Sequence, residues 1–223
     1  MPVLRIDIYF ELICPWCLIG KRNLEAALQI LARLCPDVRT ELRWQPLQLL
    51  AEIPAQGLPF TEFYERRLGG PDAVRLRQAQ VRRAAASAGL EIAFERIAVM
   101  PNTARAHHLL AVAEQHGGAA QHADLLERLF CAYFQQGKNI GDPVALLELA
   151  RRIGIDAASS ERAMATAAPL PRSMSLYAAQ GVPCFVFDNR SAIAGAVDPD
   201  TLVAAMRKAL AVSADTRCEE SPV

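Results

Sequence analysis

Apolar and polar positions partly alternate along the first ten residues, and the period then changes. Residues 3–10 are rich in β-branched and aromatic side chains, a composition typical of a strand. Beyond residue 17 the apolar residues recur at spacings of three and four, which places them on one face of a helix: Leu18, Ile19, Leu24, Ala27, Leu28, Leu31 and Leu34. The pattern predicts a strand that leads directly into an amphipathic helix ending near Cys35.

Residues 38–47 show a second strand pattern after this helix. A strand, a helix and a further strand form a βαβ unit, in which the two strands pair in parallel. Strand signals return only after Gly181, where residues 182–187 and 192–194 predict a β-hairpin. Asp198 and Pro199 then predict the cap and first turn of a last helix.

Between these two regions, from residue 61 to residue 173, the punctuation is that of helices. Pro71 opens one helix that Gly89 closes, and Asn102 or Thr103 caps another that runs to Gly117. A further helix ends at Gly137, and its apolar face consists of Leu125, Leu126, Leu129, Phe130, Tyr133 and Phe134. The next helix begins at Asp142 and Pro143 and ends at Gly154. The region is predicted to form a helical block.

These elements define an α/β fold of the order βαβ…ββα with a mixed sheet and an inserted all-helical domain. We predict a discontinuous first domain of residues 1–60 and 174–212, and a helical domain of residues 61–173. The polar residues 213–223 are predicted to form a disordered tail.

Composition excludes some classes of partner and of location. The chain has 24 basic and 24 acidic residues in 223, so its balance gives no reason to expect nucleic acid or an anionic membrane as a partner. The first residues lack the basic and apolar regions of a signal peptide, and no apolar run reaches the length of a membrane span. We therefore expect a cytoplasmic protein, in which a disulfide is more often catalytic than structural.

The predicted strand-to-helix junction carries Cys14-Pro15-Trp16-Cys17. The unpaired N–H groups at a helix start stabilise an anion, so the pKa of Cys14 is expected to lie below the ~8.5 of a free thiol. Pro15 suits the first helical position. Cys17 follows on the same face, at a separation that a disulfide can span. This arrangement favours redox chemistry.

A structural zinc site is the main alternative for paired cysteines. Such a site needs four ligands, and the remaining cysteines are isolated in sequence: Cys35, Cys131, Cys184 and Cys218. We predict no metal and no bound cofactor. Cys35 and Cys131 are interpreted as helix residues without a chemical role.

The combination of Cys14-Pro15-Trp16-Cys17, residues 19–22 and residues 181–183 resembles the DsbA-like thioredoxin-fold family, most closely its FrnE-like branch. Residues 101–103, 106–107 and 132–134 agree with the same branch. The resemblance implies a thioredoxin domain with an inserted helical domain and thiol-disulfide exchange as the activity. It also implies a cis bond between Val182 and Pro183 beside the active-site disulfide.

The resemblance implies that Cys14 attacks a substrate disulfide and Cys17 resolves the mixed disulfide. Substrate would contact Pro15, Trp16, Val182 and Pro183. The expected partners are protein or small-molecule thiols and disulfides, with glutathione a possible redox co-substrate, and the chain is a monomer or a homodimer.

Three further residues are candidates with a structural alternative. His107 would face the cleft or serve as a structural histidine. Cys184 stands where threonine or phenylalanine is usual, and we interpret it as a core residue rather than a second resolving thiol. Glu11 stands where aspartate is common, and this change is expected to alter the chemistry little.

Two other functions stay open. In the related 2-hydroxychromene-2-carboxylate isomerases and kappa-class glutathione transferases, serine occupies the position of Cys14. The cysteine found here at that position favours redox chemistry over glutathione-dependent isomerisation. A peptide-binding or chaperone module without catalysis is the third hypothesis. The sequence does not give the direction of catalysis.

Overall fold

The structure is a computed structural model that describes residues 1–170 and 181–219, with side chains described up to residue 212. The chain divides into two compact units, Met1–Leu47 with Ser173–Val223, and Gln48–Arg172. The first junction thus falls at residue 48, whereas the sequence predicts residue 61. Residues 48–60 belong to the second unit because the Gln48 Nε2 donates to Asn102 Oδ1 at 2.9 Å and residues 58–59 pair with residues 99–100. The predicted second junction, at 173/174, lies outside the described residues.

The elements follow one another in an order close to that predicted, with a 3₁₀ turn at Phe94–Arg96. In chain order they are β1 (Val3–Phe10), α1 (Pro15–Leu34), β2 (Arg39–Pro46), β3 (Leu58–Pro59), α2 (Phe60–Leu68), α3 (Pro71–Ser87), β4 (Val99–Met100), α4 (Ala104–Phe134), α5 (Pro143–Arg152), α6 (Ala157–Ala165), β5 (Cys184–Phe187), β6 (Ser191–Ala194) and α7 (Pro199–Glu219).

The first unit contains a mixed four-stranded sheet in the order β2-β1-β5-β6. Strand β1 pairs in parallel with β2, as a βαβ unit requires, and antiparallel with β5. Strands β5 and β6 form the predicted antiparallel hairpin. The α/β fold class with a mixed sheet is therefore confirmed, and the register places Cys184 opposite Tyr9 near the end of β1 that leads to Cys14.

The core of this unit forms where α1 and α7 cover the sheet. Alternate residues of β1 are buried, and they meet the apolar stripe of α1 and the inward face of α7. The central members are Leu4, Ile6, Ile8, Leu24, Ala27, Leu31, Phe185, Phe187, Leu202 and Met206. This packing fixes the start of α1 against the sheet.

The second unit is helical apart from the short pairing of β3 with β4, which the sequence does not predict because each strand is only two residues long. Helix α4 contains the break that the sequence predicts after residue 116. Gly117 and Gly118 depart from helical angles, so a first helical segment ends before Gly117 and a second one runs to Phe134. Gly118 has a φ of +63°, which glycine adopts without a steric penalty, so the chain kinks there and resumes the helix.

Helix α7 extends to Glu219, so the tail predicted to be disordered from residue 213 is helical over most of its length. No glycine or proline interrupts the chain between Pro199 and Pro222, and the segment therefore lacks a strong stop signal. Residues 220–223 lie outside the described part. Within the described residues, no helix combines the length and the apolar character needed to cross a membrane.

Candidate active site

Cys14 and Cys17 lie where the end of β1 turns into α1. Cys14 is the N-cap residue, with extended backbone angles, and Pro15 occupies the first helical turn. The Cys14 N–H donates to the Glu11 carbonyl oxygen at 3.2 Å, which closes the turn between strand and helix. The Cys17 N–H donates to the Cys14 carbonyl oxygen at 3.0 Å. The two thiols therefore share the first turn of α1, as predicted.

The two thiols differ in exposure and in acidity. Both are free; Cys14 is partly exposed, whereas Cys17 is 2% exposed. A hydrogen bond from the Cys17 side chain, assisted by the backbone N–H groups of Cys17 and Trp16, holds the pKa of Cys14 below its ordinary value, although burial and the Glu11 carboxylate oppose the effect. Burial, followed by the neighbouring Cys14, raises the pKa of Cys17 well above its ordinary value.

This difference in acidity assigns the two thiols different chemical capacities. Only a thiolate attacks a disulfide, and Cys14 is both the more acidic thiol and the more accessible one. Cys17 stays protonated while it donates its hydrogen bond to the Cys14 sulfur. The pair thus combines one acidic, partly exposed thiol with one buried thiol of raised pKa.

The segment before β5 lies against the same turn. The Val182–Pro183 bond is cis, the isomer that the resemblance implies. The Cys14 Sγ donates to the Val182 carbonyl oxygen at 3.8 Å, a distance within the range for sulfur donors. Val182 is partly exposed and Pro183 is buried. The structure thus brings together Cys14, Cys17, Val182 and Pro183 from opposite ends of the sequence.

Gly20 belongs to residues 19–22, which carry part of the family resemblance, but the sequence alone assigns it no role. A Cβ atom built on Gly20 would lie 2.8 Å from Pro183 Cγ and 3.2 Å from Phe185 Cζ. Real Cβ atoms essentially never approach another heavy atom within 3.0 Å, so helix α1 comes this close to Pro183 because position 20 has no side chain. A glycine inside an apolar helix pattern was the available signal, since it weakens a helix unless packing requires it.

Two ionisable residues close to the thiols in sequence are buried. Glu11 is 0% exposed; its Oε1 accepts from the Leu12 N–H at 2.6 Å, and its own N–H donates to Cys17 Sγ at 3.5 Å. Lys21 is 6% exposed and pairs with Glu25 Oε1 at 2.5 Å. Sequence reasoning named Glu11 as a candidate but missed Lys21, which lies one turn after Cys17 at a position on the buried side of α1.

The remaining candidates occupy different places. Cys184 is fully buried in β5, and burial raises the pKa of its thiol, which agrees with the predicted core position. Trp16 is partly exposed in the first turn of α1. His107 is buried in α4 of the second unit, where its N–H donates to the Thr103 carbonyl oxygen; its role at the redox site stays a prediction. Among the described residues, no cluster of metal-ligating side chains occurs.

Solved structures show the same fold. A probable DsbA oxidoreductase from Streptomyces coelicolor superposes with a TM-score of 0.81 at 24% identity, covering 99% of this chain and 92% of that one. A 2-hydroxychromene-2-carboxylate isomerase gives a TM-score of 0.59 at 16% identity, with 95% and 98% covered. The cytosolic disulfide reductase DsbM from Pseudomonas aeruginosa, in a structure with GSH, gives 0.57 at 17% identity, with 96% and 99% covered.

The sequence itself matches a family model described as "DSBA-like thioredoxin domain" over residues 5–207. The match spans both cysteines, the cis-proline segment and the helical unit between them. The chain therefore belongs to the DSBA-like thioredoxin-domain family.

Proposed function

We propose that the protein is a thiol-disulfide oxidoreductase that works through a mixed disulfide at Cys14. The observation that carries the proposal is the unequal pair at the start of α1. Cys14 is partly exposed with a lowered pKa, and Cys17 is buried with a raised one. Family membership supports an oxidoreductase in general terms, and the geometry supports this particular division of roles.

The proposed reaction proceeds in two exchanges. The Cys14 thiolate attacks one sulfur of a substrate disulfide, forms a mixed disulfide with it and expels the other sulfur as a thiolate. Cys17 then loses its proton to solvent or to the expelled thiolate and attacks the Cys14 sulfur. This second step forms the Cys14–Cys17 disulfide and releases the second substrate sulfur as a thiolate, so substrate gains the two electrons that the protein loses. The reverse sequence oxidises a dithiol.

The difference in pKa between the two thiols suits the two exchanges, because each exchange expels a thiolate. An acidic Cys14 is also a good leaving group when Cys17 attacks, because thiols of lower pKa leave faster. A protonated Cys17 does not attack the substrate disulfide, so the first exchange takes place at Cys14. Once Cys14 is bonded to substrate, its negative charge no longer raises the pKa of Cys17, and deprotonation of Cys17 becomes easier.

Substrate is proposed to approach the partly exposed Pro15, Trp16 and Val182 and to contact the edge that Val182 forms with the buried Pro183. The Val182 carbonyl accepts from the Cys14 thiol in the free protein, and its lone pairs are available to a substrate backbone N–H once Cys14 is disulfide-bonded. We propose glutathione and peptide disulfides as substrates, since the DsbM structure of the same fold was determined with GSH. We also propose a cytoplasmic location, as for that protein.

A glutathione-dependent isomerase is the alternative that shares the fold. Its reaction needs a bound glutathione thiolate that survives each cycle. The acidic thiol at Cys14, with Cys17 as its hydrogen-bond donor, would instead be consumed by disulfide formation with oxidised glutathione. The redox proposal accounts for both cysteines, whereas the isomerase proposal accounts for neither.

A titration in glutathione buffers of increasing oxidised fraction tests the proposal. Wild-type protein is expected to interconvert reversibly between dithiol and disulfide, and to catalyse reduction or oxidation of a peptide substrate. Cys14→Ser should abolish both effects. Cys35→Ser is the matched control, because Cys35 is the C-cap residue at the opposite end of α1. This variant is expected to behave as wild type.

The titration midpoint gives the direction of catalysis in a given compartment. Absence of turnover with peptide and glutathione disulfides, together with isomerisation of 2-hydroxychromene-2-carboxylate by glutathione, would replace the proposal by the isomerase. Peptide binding without turnover would replace it by a chaperone module.

A further inference from the structure

Helix α1 and the cis-proline segment are in direct contact at Gly20. The position that a Cβ atom would occupy is 2.8 Å from Pro183 Cγ and 3.3 Å from Pro183 Cβ. Phe185 Cζ lies at 3.2 Å from the same position. Pro183 and Phe185 are both buried, and Phe185 is part of the core of the first unit. The ring of Pro183 therefore has little freedom to move away from an added methyl group.

The contact lies next to the residues of the proposed reaction. Gly20 follows Cys17 by three positions on α1, so the two share a helix face. Pro183 is bonded to Val182, whose carbonyl oxygen lies 3.8 Å from Cys14 Sγ. The distance between the 182–183 segment and the start of α1 thus depends on how closely Pro183 approaches position 20.

We infer that Gly20 is a positioning residue that sets the distance between the Val182–Pro183 edge and the Cys14 sulfur. Through that distance it sets the rate of exchange with peptide disulfides. The inference rests on the proposed function, in which substrate lies along that edge while its sulfur meets Cys14. Gly20 acts through its contact with Pro183 and takes no part in the chemistry of the thiols.

The two effects separate because different residues control them. The hydrogen bonds that lower the pKa of Cys14 come from Cys17 and Trp16, and none comes from the 182–183 segment. That segment instead accepts a hydrogen bond from the Cys14 thiol, and burial raises the pKa, so a displaced edge would not make Cys14 less acidic. The segment also provides the edge along which an extended substrate would pair. An alanine at position 20 should therefore displace the edge while leaving the nucleophile intact.

The displacement of Pro183 by an alanine at position 20 is large enough to slow the exchange reaction. The contact at 2.8 Å must lengthen towards the 3.4 Å at which ordinary contacts begin. Misplacement by ~1 Å can cost an enzyme a factor of ~100 in rate, so a shift of about half that size predicts about a tenfold loss. Helix propensity acts in the opposite direction, because alanine is favoured over glycine inside a helix. A loss of activity in Gly20→Ala would consequently not arise from a weaker helix.

The test compares two rates for Gly20→Ala and wild type. The first is the second-order rate constant for a peptide disulfide, which we expect to fall about tenfold. The second is the rate of Cys14 alkylation by iodoacetamide, measured over a range of pH. Iodoacetamide is too small to need the edge, so the pH profile of this rate should not move to higher pH. Ala27→Val is the matched control: it overpacks the same helix at a fully buried core position, two turns further on. It should leave both rates at the wild-type level in the folded protein.

A double-mutant cycle with Pro183→Ala identifies the route of the effect. Alanine at 183 has no Cγ, so adding Gly20→Ala to this variant should cost much less than adding it to wild type. If Gly20→Ala alone does not fold, the cycle still decides: folding of the double variant supports the contact, and failure of both contradicts it.

Unchanged peptide exchange in folded Gly20→Ala would overturn the inference, as would an equal loss in Ala27→Val or an alkylation profile shifted to higher pH. Wild-type protein that shows no exchange at all would instead refute the proposed function, so the two failures are distinguishable.

Discussion

Removal of the Cys17 thiol tests the division of acidity within the site. The hydrogen bond from the Cys17 side chain is the largest of the effects that lower the pKa of Cys14. Cys17→Ala removes this donor, whereas Cys17→Ser keeps a hydroxyl that donates from nearly the same place. We therefore expect the ionisation of Cys14 to move to higher pH in the alanine variant and to stay near wild type in the serine variant.

The magnitude follows from the value of a hydrogen bond to a charged group, about 1.5–3 kcal/mol. Cys14 is partly exposed, so solvent screening places the effect at the low end, where ~1.4 kcal/mol corresponds to about a tenfold loss of thiolate at a given pH below the midpoint. A less acidic thiol is a stronger nucleophile once ionised, with a Brønsted slope of about 0.4–0.5. This compensation leaves a net loss of reaction rate of about threefold.

The assay should consequently follow the thiolate itself through its ultraviolet absorbance across a pH titration, with alkylation rate as the second readout. Alkylation alone would understate the change because of the compensating nucleophilicity. An alanine variant that ionises at or below the pH of the wild type would refute the reasoning. Equal titrations of the alanine and serine variants, both displaced upward, would show that the sulfur of Cys17 is needed rather than a hydrogen-bond donor.

Three other outcomes follow from the same geometry. Glu11→Gln should move Cys14 ionisation to lower pH, because the carboxylate disfavours both thiolates, and Glu11→Asp should restore most of the wild-type profile in the same titration. Mild oxidation followed by peptide mapping should find Cys14 bonded to Cys17 and Cys184 reduced, and Cys184→Ala should retain exchange activity; a disulfide to Cys184 would show three participating thiols. In a Cys14→Ala background, the free energy of unfolding should fall as pH rises above about 8.5, because the raised pKa keeps buried Cys17 protonated in the folded state while the unfolded thiol ionises. Adding Cys17→Ser should reduce that fall in chemical denaturation measured at several pH values and leave only the part that buried Cys184 contributes. An unaltered pH dependence would contradict the burial of Cys17 as a cause.

Local signals in the sequence were sufficient for the elements that carry the site. The change of hydrophobic period at residue 14 places the cysteines at the start of α1, because a strand and a helix differ in their side-chain repeat. Asp142 accepts from the Val144 N–H and Asp198 from the Thr201 N–H, so these two of the predicted helix caps exist as hydrogen bonds. Caps and turns depend on neighbouring residues, and a single sequence displays them.

Features that depend on distant residues were not accessible in the same way. The contact of Gly20 with Pro183 joins positions far apart in the chain, and its only local sign was a glycine in a helix. The pairing of Leu58–Pro59 with Val99–Met100 is too short to produce an alternating pattern. The acidity of Cys17 depends on its burial by the folded core, which the motif alone does not determine.

The most direct test of the central claim is to trap the mixed disulfide. Cys17→Ser protein should be mixed with a peptide disulfide and acid-quenched, and the adduct mapped by mass spectrometry. The account predicts a substrate adduct on Cys14 that persists because no resolving thiol is present, and rapid loss of that adduct in wild type. An adduct on Cys184 or Cys35, or no adduct at any cysteine under conditions where wild type turns over, would contradict it.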